Sequence, residues 1–325
     1  MKSLNAKTLI LTTVIGGVSL LLSLGFTAAL ISSSAAQTIP PAPTQPNLPR
    51  LLALEPTSAR QKPIQPSPLP AATPVPSSIP TVKAVPTPTP LILLNEQRLT
   101  VIGYTVEGRP LEVYTFGYGK HERMIVAGIH GGDEWNTIAL ADQLIVYLNQ
   151  NPQVIPDDVT LYTLHNINPD GEARAHGKEG RLNHNRVDLN RNFPVNWQAK
   201  WDLDGCWNYL PTSSGMGPGS EAETRALMDF IKSRRIEVLI SYHSAALGIF
   251  PGGDPWDEKS TQFAQSIAEV STYPFPPIDT GCIYTGTLPD YAVAQGITAV
   301  DIELTNHKDT DFEMNLNILD VLLNW

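Results

Sequence analysis

Cysteine, positive charge and aromatic side chains are scarce in large parts of this sequence, and each shortage excludes something. Only Cys206 and Cys282 are present, so the chain can form at most one internal disulfide bond. Outside the cytoplasm the two cysteines would either pair or remain as buried thiols, and the sequence does not decide between these interpretations.

The chain beyond residue 92 is poor in basic residues. It holds 16 lysines and arginines against 31 acidic residues, whereas the first 92 residues hold six basic residues and one acid. The overall field of such an acidic body repels polyanions, so nucleic acid is not an expected partner.

Aromatic residues are absent from residues 38–90, where large apolar residues are also few and more than half of the 29 prolines lie. A segment of this composition cannot bury enough apolar surface to offset the entropy lost on ordering. We therefore predict a disordered Pro/Thr/Ser-rich tether over residues 37–92 and a folded body over residues 93–325.

The first 36 residues have the pattern of an export signal. Lys2 and Lys7 precede a stretch without charge from Thr8 to Ile31, and small residues follow up to Ala36. The apolar stretch is long for a cleaved signal peptide and long enough to span a bilayer, so residues 1–36 are either a signal peptide or a membrane anchor. Both alternatives place the body outside the cytoplasm, because the lysines favour an inward N-terminus.

Strand and helix patterns alternate along the body, which predicts an α/β three-layer sandwich with a mixed, largely parallel central sheet. One helix is predicted to begin with a capping box formed by Ser220 and Glu223. The predicted strands lie in "RLTVIGYTVEGRPLEVYTFG", "ERMIVAGIH", "DVTLYTLHNINPDG", "IEVLISYHS" and "GITAVDIELTN", and the predicted helices in "WNTIALADQLIVYLNQN", "GSEAETRALMDFIKSRR" and "MNLNILDVLLNW".

Three titratable residues fall at or near the carboxyl ends of these strands, where open α/β sheets bind ligands. They are His130, His243 and Glu303. His130 is followed by two glycines and then by Asp133 and Glu134, so a tight turn can bring a carboxylate beside it. Two histidines and a carboxylate are a known ligand set for catalytic zinc, which keeps a fourth position open.

A cationic segment, "GRLNHNRVDLNRNF", interrupts the acidic body and contains Arg181, Asn190 and Arg191. Guanidinium groups match carboxylates in two-point geometry, and an adjacent asparagine adds a donor. The segment therefore predicts a site that grips a substrate carboxylate.

The ordered set "HGGDEW", "NPDG", "RLN", "VDLNRNF", "SYHS", "IY" and "IEL" resembles the zinc metallocarboxypeptidase family, and the compact body resembles its bacterial branch, which includes murein peptide amidases. The resemblance covers about Thr100 to Thr305. It implies one zinc ion and a role for each matching residue. The implied zinc ligands are His130, Glu134 and His243, the implied catalytic residues are Glu303 as general base and Arg181 at the scissile carbonyl, and the implied substrate-binding residues are Asn190, Arg191 and the mobile Tyr284.

One departure from the family pattern leaves the carboxylate ligand open. The family spacing is His-x-x-Glu, which here reaches Asp133, whereas Glu134 comes one residue later and precedes Trp135 as the family glutamate precedes tryptophan. We expect Glu134 to be the ligand, with the second glycine absorbing the additional residue as a bulge, and keep Asp133 as the alternative.

The resemblance implies an exported zinc peptidase that hydrolyses the amide bond next to a free carboxylate end of a peptide. The substrate would be a protein C-terminus or a peptidoglycan stem peptide, and the membrane would be a partner if the leader is retained. Two alternatives are a zinc deacylase of the succinylglutamate desuccinylase and aspartoacylase type, and a non-catalytic module that binds carboxylate ends.

Overall fold

The fold is that of a computed structural model, which describes residues 98–204, 210–245 and 247–325. Within these residues the chain forms seven strands and six α-helices. The strands are β1 (Arg98–Tyr104), β2 (Pro110–Gly117), β3 (His121–Val126), β4 (Val159–Leu164), β5 (Ile236–Ser244), β6 (Ile249–Pro251) and β7 (Thr298–Leu304). The helices are α1 (Trp135–Gln150), α2 (Pro169–Arg174), α3 (Ala222–Lys232), α4 (Glu258–Glu269), α5 (Leu288–Ala294) and α6 (Phe312–Asn324).

The strands form one mixed sheet in the order β1-β2-β4-β3-β5-β7-β6. The four central strands, β4, β3, β5 and β7, are parallel to one another, while β1, β2 and β6 add antiparallel pairings at the two sides. The mixed sheet was predicted, but only its centre is parallel. The carboxyl ends of the parallel strands meet at one edge, which is where such sheets bind ligands.

Helices cover both faces of the sheet, so the fold has three layers. On one face α1, α4 and α6 pack against Ile125, Ile240 and Ile302, and on the other face α3 and α5 pack against Met124 and Leu239. Successive residues of a strand point to opposite faces, so continuous apolar runs supply both cores.

The face of the sheet that packs against α3 and α5 changes from apolar to polar side chains along β5 and β7. It begins with Leu239 and Ala299, which are buried in the core, and continues two residues later with Ser241 and Asp301. His243 and Glu303 follow and stand opposite each other in the parallel register. The period of two thus places four polar side chains on one face at the carboxyl edge.

Several local predictions differ from the structure. The predicted capping box is wrong, because Glu221 is the N-cap of α3 and its side chain makes no capping hydrogen bond. Ser220 Oγ instead contacts Asn192 and Glu221, and the Glu223 carboxylate accepts from Asn183. The strand expected to end at His130 ends at Val126, and the helices α2, α4 and α5 were not predicted.

Some predictions concern residues that the structure does not describe. The leader over residues 1–36 and the tether over residues 37–92 lie outside the described residues, as does Cys206. Cys282 is disulfide-bonded, and its pairing with Cys206 stays a prediction. Among the helices described by the structure, none combines the length and the apolar composition that a bilayer span requires.

Candidate active site

The turn after β3 brings a histidine and a glutamate together. Gly131–Glu134 form a single 3-10 turn that follows His130 directly and leads into α1. Gly131 has φ +46°, a left-handed conformation that favours glycine. The first glycine therefore allows the bend, while the second, Gly132, packs against the carbonyl of Ala175.

Three buried side chains from distant parts of the sequence converge at this turn. His130 Nδ1 lies 2.7 Å from Glu134 Oε1, and His243 Nδ1 lies 3.1 Å from Glu134 Oε2. The two Nδ1 atoms are 3.2 Å apart. Each residue offers one ligand atom, and the three atoms lie within 4.8 Å of one another, so they could hold a single metal ion.

Asp133, the alternative carboxylate, is not in this group. It precedes Glu134 on the turn, and one of its oxygens lies 3.7 Å from Arg181 Nη1. The geometry favours Glu134 over Asp133, and the ligand assignment itself stays a prediction.

Carboxylates also face the outer nitrogens of the two histidines. His130 Nε2 lies 3.1 Å from Asp188 Oδ1, and His243 Nε2 lies 3.4 Å from Asp301 Oδ1. Burial disfavours the cationic form of His243, but Asp301 and then Glu134 outweigh burial and raise its pKa well above the usual range. Burial likewise opposes ionisation of Glu134, but His130 and His243 outweigh it and hold the pKa of that carboxyl well below its usual range.

Arg181 is buried beside the three converging residues. Its Nη1 donates to Glu134 Oε1 over 3.2 Å, and its Nη2 donates to Asp188 Oδ2 over 3.0 Å. Burial works against its charge, but Asp188 and Glu134 outweigh burial and raise its pKa. The guanidinium is therefore a fixed positive charge at the wall of the site.

Glu303 lies across the β5–β7 pairing from His243 and is half-buried. Its Oε2 accepts no hydrogen bond from the described residues. Burial, and then repulsion from Glu134, raises the pKa of Glu303 to about 8. A carboxyl group that is poorly solvated and has an unoccupied acceptor is suited to proton transfer.

Asn190 and Arg191 lie on the 3-10 turn Leu189–Arg191, which Asp188 caps by accepting the Asn190 N–H over 3.0 Å. Asn190 Oδ1 accepts the Leu288 N–H over 2.8 Å, which directs its Nδ2 towards His243 and Asp301. Arg191 is 2% exposed, and its Nη1 donates to the Asn190 carbonyl over 2.5 Å. Burial lowers the pKa of Arg191.

Tyr284 is the exposed member of the predicted set, with 38% of its surface accessible. Its ring lies 5.4 Å from the guanidinium carbon of Arg191 and 5.7 Å from the Phe250 ring. Its hydroxyl is 3.3 Å from Thr280 Oγ1. The ring is thus placed at the rim, next to Arg191.

All eight residues predicted for the site line one cavity of about 1380 Å³. They are His130, Glu134, Arg181, Asn190, Arg191, His243, Tyr284 and Glu303. Apolar side chains complete the walls, among them Trp135, Phe250 and Trp256. The cavity is larger than a single amino acid needs, and polar groups converge at one part of it, as in ligand sites generally.

The converging residues fit a zinc ion. Two imidazoles and a carboxylate are a catalytic zinc set, and the buried Nδ1 atoms and Glu134 oxygens face one another at distances that a shared cation would stabilise. Each imidazole also has a carboxylate on its other nitrogen, which is usual around ligand histidines.

The family comparison agrees with this geometry. Residues 95–317 match the zinc carboxypeptidase family model. The chain belongs to the zinc carboxypeptidase family.

The curated relatives that this chain resembles are carboxypeptidases of mammals. Mast cell carboxypeptidase A of Rattus norvegicus is 33% identical over 176 residues, which cover 47% of this chain and 42% of the relative. Carboxypeptidase A1 of Mus musculus is 30% identical over 232 residues, which cover 60% of this chain and 54% of the relative. The chain spans about half the length of the curated relatives it matches.

Solved structures share the fold at lower identity. Bovine thrombin-activatable fibrinolysis inhibitor, solved in complex with tick carboxypeptidase inhibitor, superposes with a TM-score of 0.59 at 20% identity, covering 71% of this chain and 90% of that chain. Murein-tripeptide amidase MpaA from Escherichia coli O157 gives a TM-score of 0.51 at 22% identity, covering 72% of this chain and 98% of that chain.

One residue of this zinc carboxypeptidase site was missed in the sequence. Asp301 contacts both His243 and Asn190 and lines the cavity. The signal was present, because Asp301 and Glu303 are two residues apart on one strand and must share a face. The aromatic walls formed by Phe250 and Trp256 carry no comparable signal, since a single aromatic residue on a short strand or in a turn is ordinary.

Proposed function

We propose that this protein is a zinc-dependent carboxypeptidase that hydrolyses the amide bond next to a free carboxylate end of a peptide. The observation that carries the proposal is the convergence of His130, Glu134 and His243 in the cavity that also contains Asn190, Arg191 and Glu303. Such a reaction needs metal ligands, groups that bind the substrate carboxylate, and a proton acceptor.

The substrate is positioned through its terminal carboxylate. Asn190 and Arg191 bind the terminal carboxylate, so only the adjacent amide bond reaches the reacting centre. Tyr284, at the rim beside Arg191, covers the bound residue. Fixing the reacting groups in this way converts an encounter in solution into an intramolecular step.

The chain supplies the proton transfers and part of the charge stabilisation. Zinc held by His130, Glu134 and His243 would supply Lewis acidity towards water and the scissile carbonyl. Glu303 removes a proton from the attacking water and delivers it to the departing amine. Arg181 donates to the carbonyl oxygen as negative charge develops there.

We further propose that the protein acts outside the cytoplasm and that a peptidoglycan stem peptide is its substrate. The leader and tether patterns support the location, and the fold likeness to a murein-tripeptide amidase supports the substrate. The competing substrate is a protein C-terminus.

The test uses the purified full-length chain with murein tri- and tetrapeptides and with ordinary C-terminal peptides, each with and without a chelator. Glu303→Gln should lower kcat by about 10²- to 10⁴-fold, the usual contribution of general acid–base catalysis, while zinc stays bound. Glu269→Gln, an exposed change on α4, is the matched control and should leave kcat unchanged. Near-normal turnover by Glu303→Gln would contradict the proposal, as would wild-type turnover that the chelator does not reduce.

A further inference from the structure

We propose that Asp301 is a positioning residue that holds the metal ligand His243 and the substrate-binding Asn190 in one arrangement, an inference that rests on the proposed zinc site. Asp301 lies on β7 opposite Ser241 of β5, two residues before Glu303. Its Oδ1 lies 3.4 Å from His243 Nε2 and its Oδ2 lies 3.3 Å from Asn190 Nδ2. One carboxylate therefore contacts two different parts of the site.

The chemistry of His243 requires an acceptor at Nε2. Its Nδ1 faces Glu134 and His130, so Nδ1 is the atom available to the metal and Nε2 must carry the proton. An imidazole in this state donates from Nε2, and a carboxylate acceptor there fixes the ring and makes it a stronger ligand.

Three groups of the described residues lie beside His243 Nε2, and Asp301 is the anionic one among them. Ser241 Oγ lies 3.1 Å away, and Asn190 Nδ2 lies 3.3 Å away. The Asn190 amide has its oxygen on the Leu288 N–H, so its nitrogen is a donor and cannot accept from Nε2. Ser241 can accept but carries no charge.

Burial makes this contact necessary for Asp301 as well. Asp301 is 9% exposed, and its Oδ1 is fully buried and accepts no hydrogen bond from the described residues. A buried carboxylate oxygen is costly unless an N–H donor faces it. The Nε2–H of His243 is the donor placed to do so.

The arrangement mirrors the other ligand histidine. Asp188 faces His130 Nε2 and also accepts the Asn190 N–H, while Asp301 faces His243 Nε2 and the Asn190 side-chain amide. Both ligand histidines are thus tied through a carboxylate to Asn190. Loss of Asp301 should therefore disturb metal binding and substrate binding together.

The experiment measures zinc affinity of the full-length chain by competition with a chromophoric chelator. Asp301→Asn should weaken zinc binding by about 10- to 100-fold, the usual effect of removing such a partner. Ser241→Ala, which removes the other acceptor at Nε2, should have a smaller effect, and Asp229→Asn, an exposed change on α3, should have none. The Co²⁺-substituted Asp301→Asn protein should also show a changed d–d spectrum.

Kinetics at saturating zinc add a second readout. KM for a peptide with a free carboxylate end should rise in Asp301→Asn by a larger factor than kcat falls. Asp301→Thr, which keeps a side chain that suits a strand, repeats both measurements if the asparagine variant does not fold.

Wild-type zinc affinity in both Asp301→Asn and Asp301→Thr would overturn the assignment. If kcat/KM then fell only for peptides that end in lysine or arginine, Asp301 would be a partner for substrate charge instead. A wild-type chain that bound no zinc would instead refute the proposed function.

Discussion

Burial of a cation is unfavourable unless the site uses its charge. Arg191 is 2% exposed inside an otherwise acidic body, and burial lowers its pKa. A carboxylate ligand would restore the favourable environment of the guanidinium, and the planar group can bind it at two points.

Arg191→Lys tests this role. Lysine keeps the charge but loses the two-point geometry, so kcat/KM on a peptide with a free carboxylate end should fall by about 10- to 100-fold, the range for hydrogen bonds to charged groups. The C-terminally amidated peptide should be affected far less. Arg225→Lys, an exposed change on α3, is the control, and an equal loss on both peptides would indicate a damaged fold instead.

The raised pKa of Glu303 predicts that the stability of the metal-free protein depends on pH. Burial raises its pKa from 4.5 to about 8, so between these values the folded chain holds a proton that the unfolded chain has lost. Its contribution to the free energy of unfolding is therefore full below pH 4.5 and is lost as the pH rises through about 8.

The comparison that isolates this group is metal-free wild type against metal-free Glu303→Gln. Thermal unfolding between pH 5 and pH 9, with a chelator present, should show the melting temperature of the wild type falling by several degrees relative to the variant as the pH rises. Parallel curves for the two proteins would contradict the raised pKa.

The sequence was most informative where chemistry limits the choice of residue. Histidines and acids at strand ends stand out, and the structure brings them into one cavity, although their roles remain predictions. Asp301 was not predicted because its contacts depend on the neighbouring strand of the sheet. The strand register, which decides that Asp301 contacts His243, is not contained in any local pattern.

The elements that hold the site are turns as much as strands. The 3-10 turn Gly131–Glu134 contacts α2 and the turn Lys178–Gly180, and the fit depends on small residues. A Cβ on Gly132 would lie 1.9 Å from the Ala175 carbonyl oxygen, which is backbone and cannot rotate away.

Gly132→Ala should therefore displace the turn that carries Glu134. We expect the free energy of unfolding to fall by about 1–3 kcal/mol, as for other overpacked positions, and zinc binding to weaken with it. Gly217→Ala is the matched control, because no atom lies within 4 Å of its added Cβ and its φ is not positive. Chemical denaturation and zinc titration would measure both effects, and equal behaviour of the two variants would exclude the steric argument.

The helix α1 and the strand β5 were predictable because their periodicity is strong. The helix α5 has only seven residues and begins with a Thr287 cap, with Pro289 in its first turn. The false capping box at α3 shows the limit of a local rule. Ser220 and Glu223 have the right spacing, but Asn192 and Asn183 offer them partners from distant parts of the chain.

At the scale of the whole molecule, the metal site joins parts of the chain that are far apart in sequence. His130 follows β3, His243 lies on β5, and their outer partners lie on the turn before Leu189 and on β7. Zinc would therefore bind the folded chain and not the unfolded one, so its binding free energy adds to the stability of the fold.

Zinc should raise the melting temperature of the full-length protein. At a free concentration one hundred times its Kd, zinc adds about 2.7 kcal/mol, which corresponds to roughly 5–10 °C for a body of this size. Scanning calorimetry with zinc, with magnesium and with a chelator would measure the shift. His243→Ala should abolish it while magnesium changes neither protein, because a hard ion prefers oxygen ligands. A shift that persists in His243→Ala would mean that zinc binds elsewhere. His130, Glu134 and His243 would then not be the zinc site.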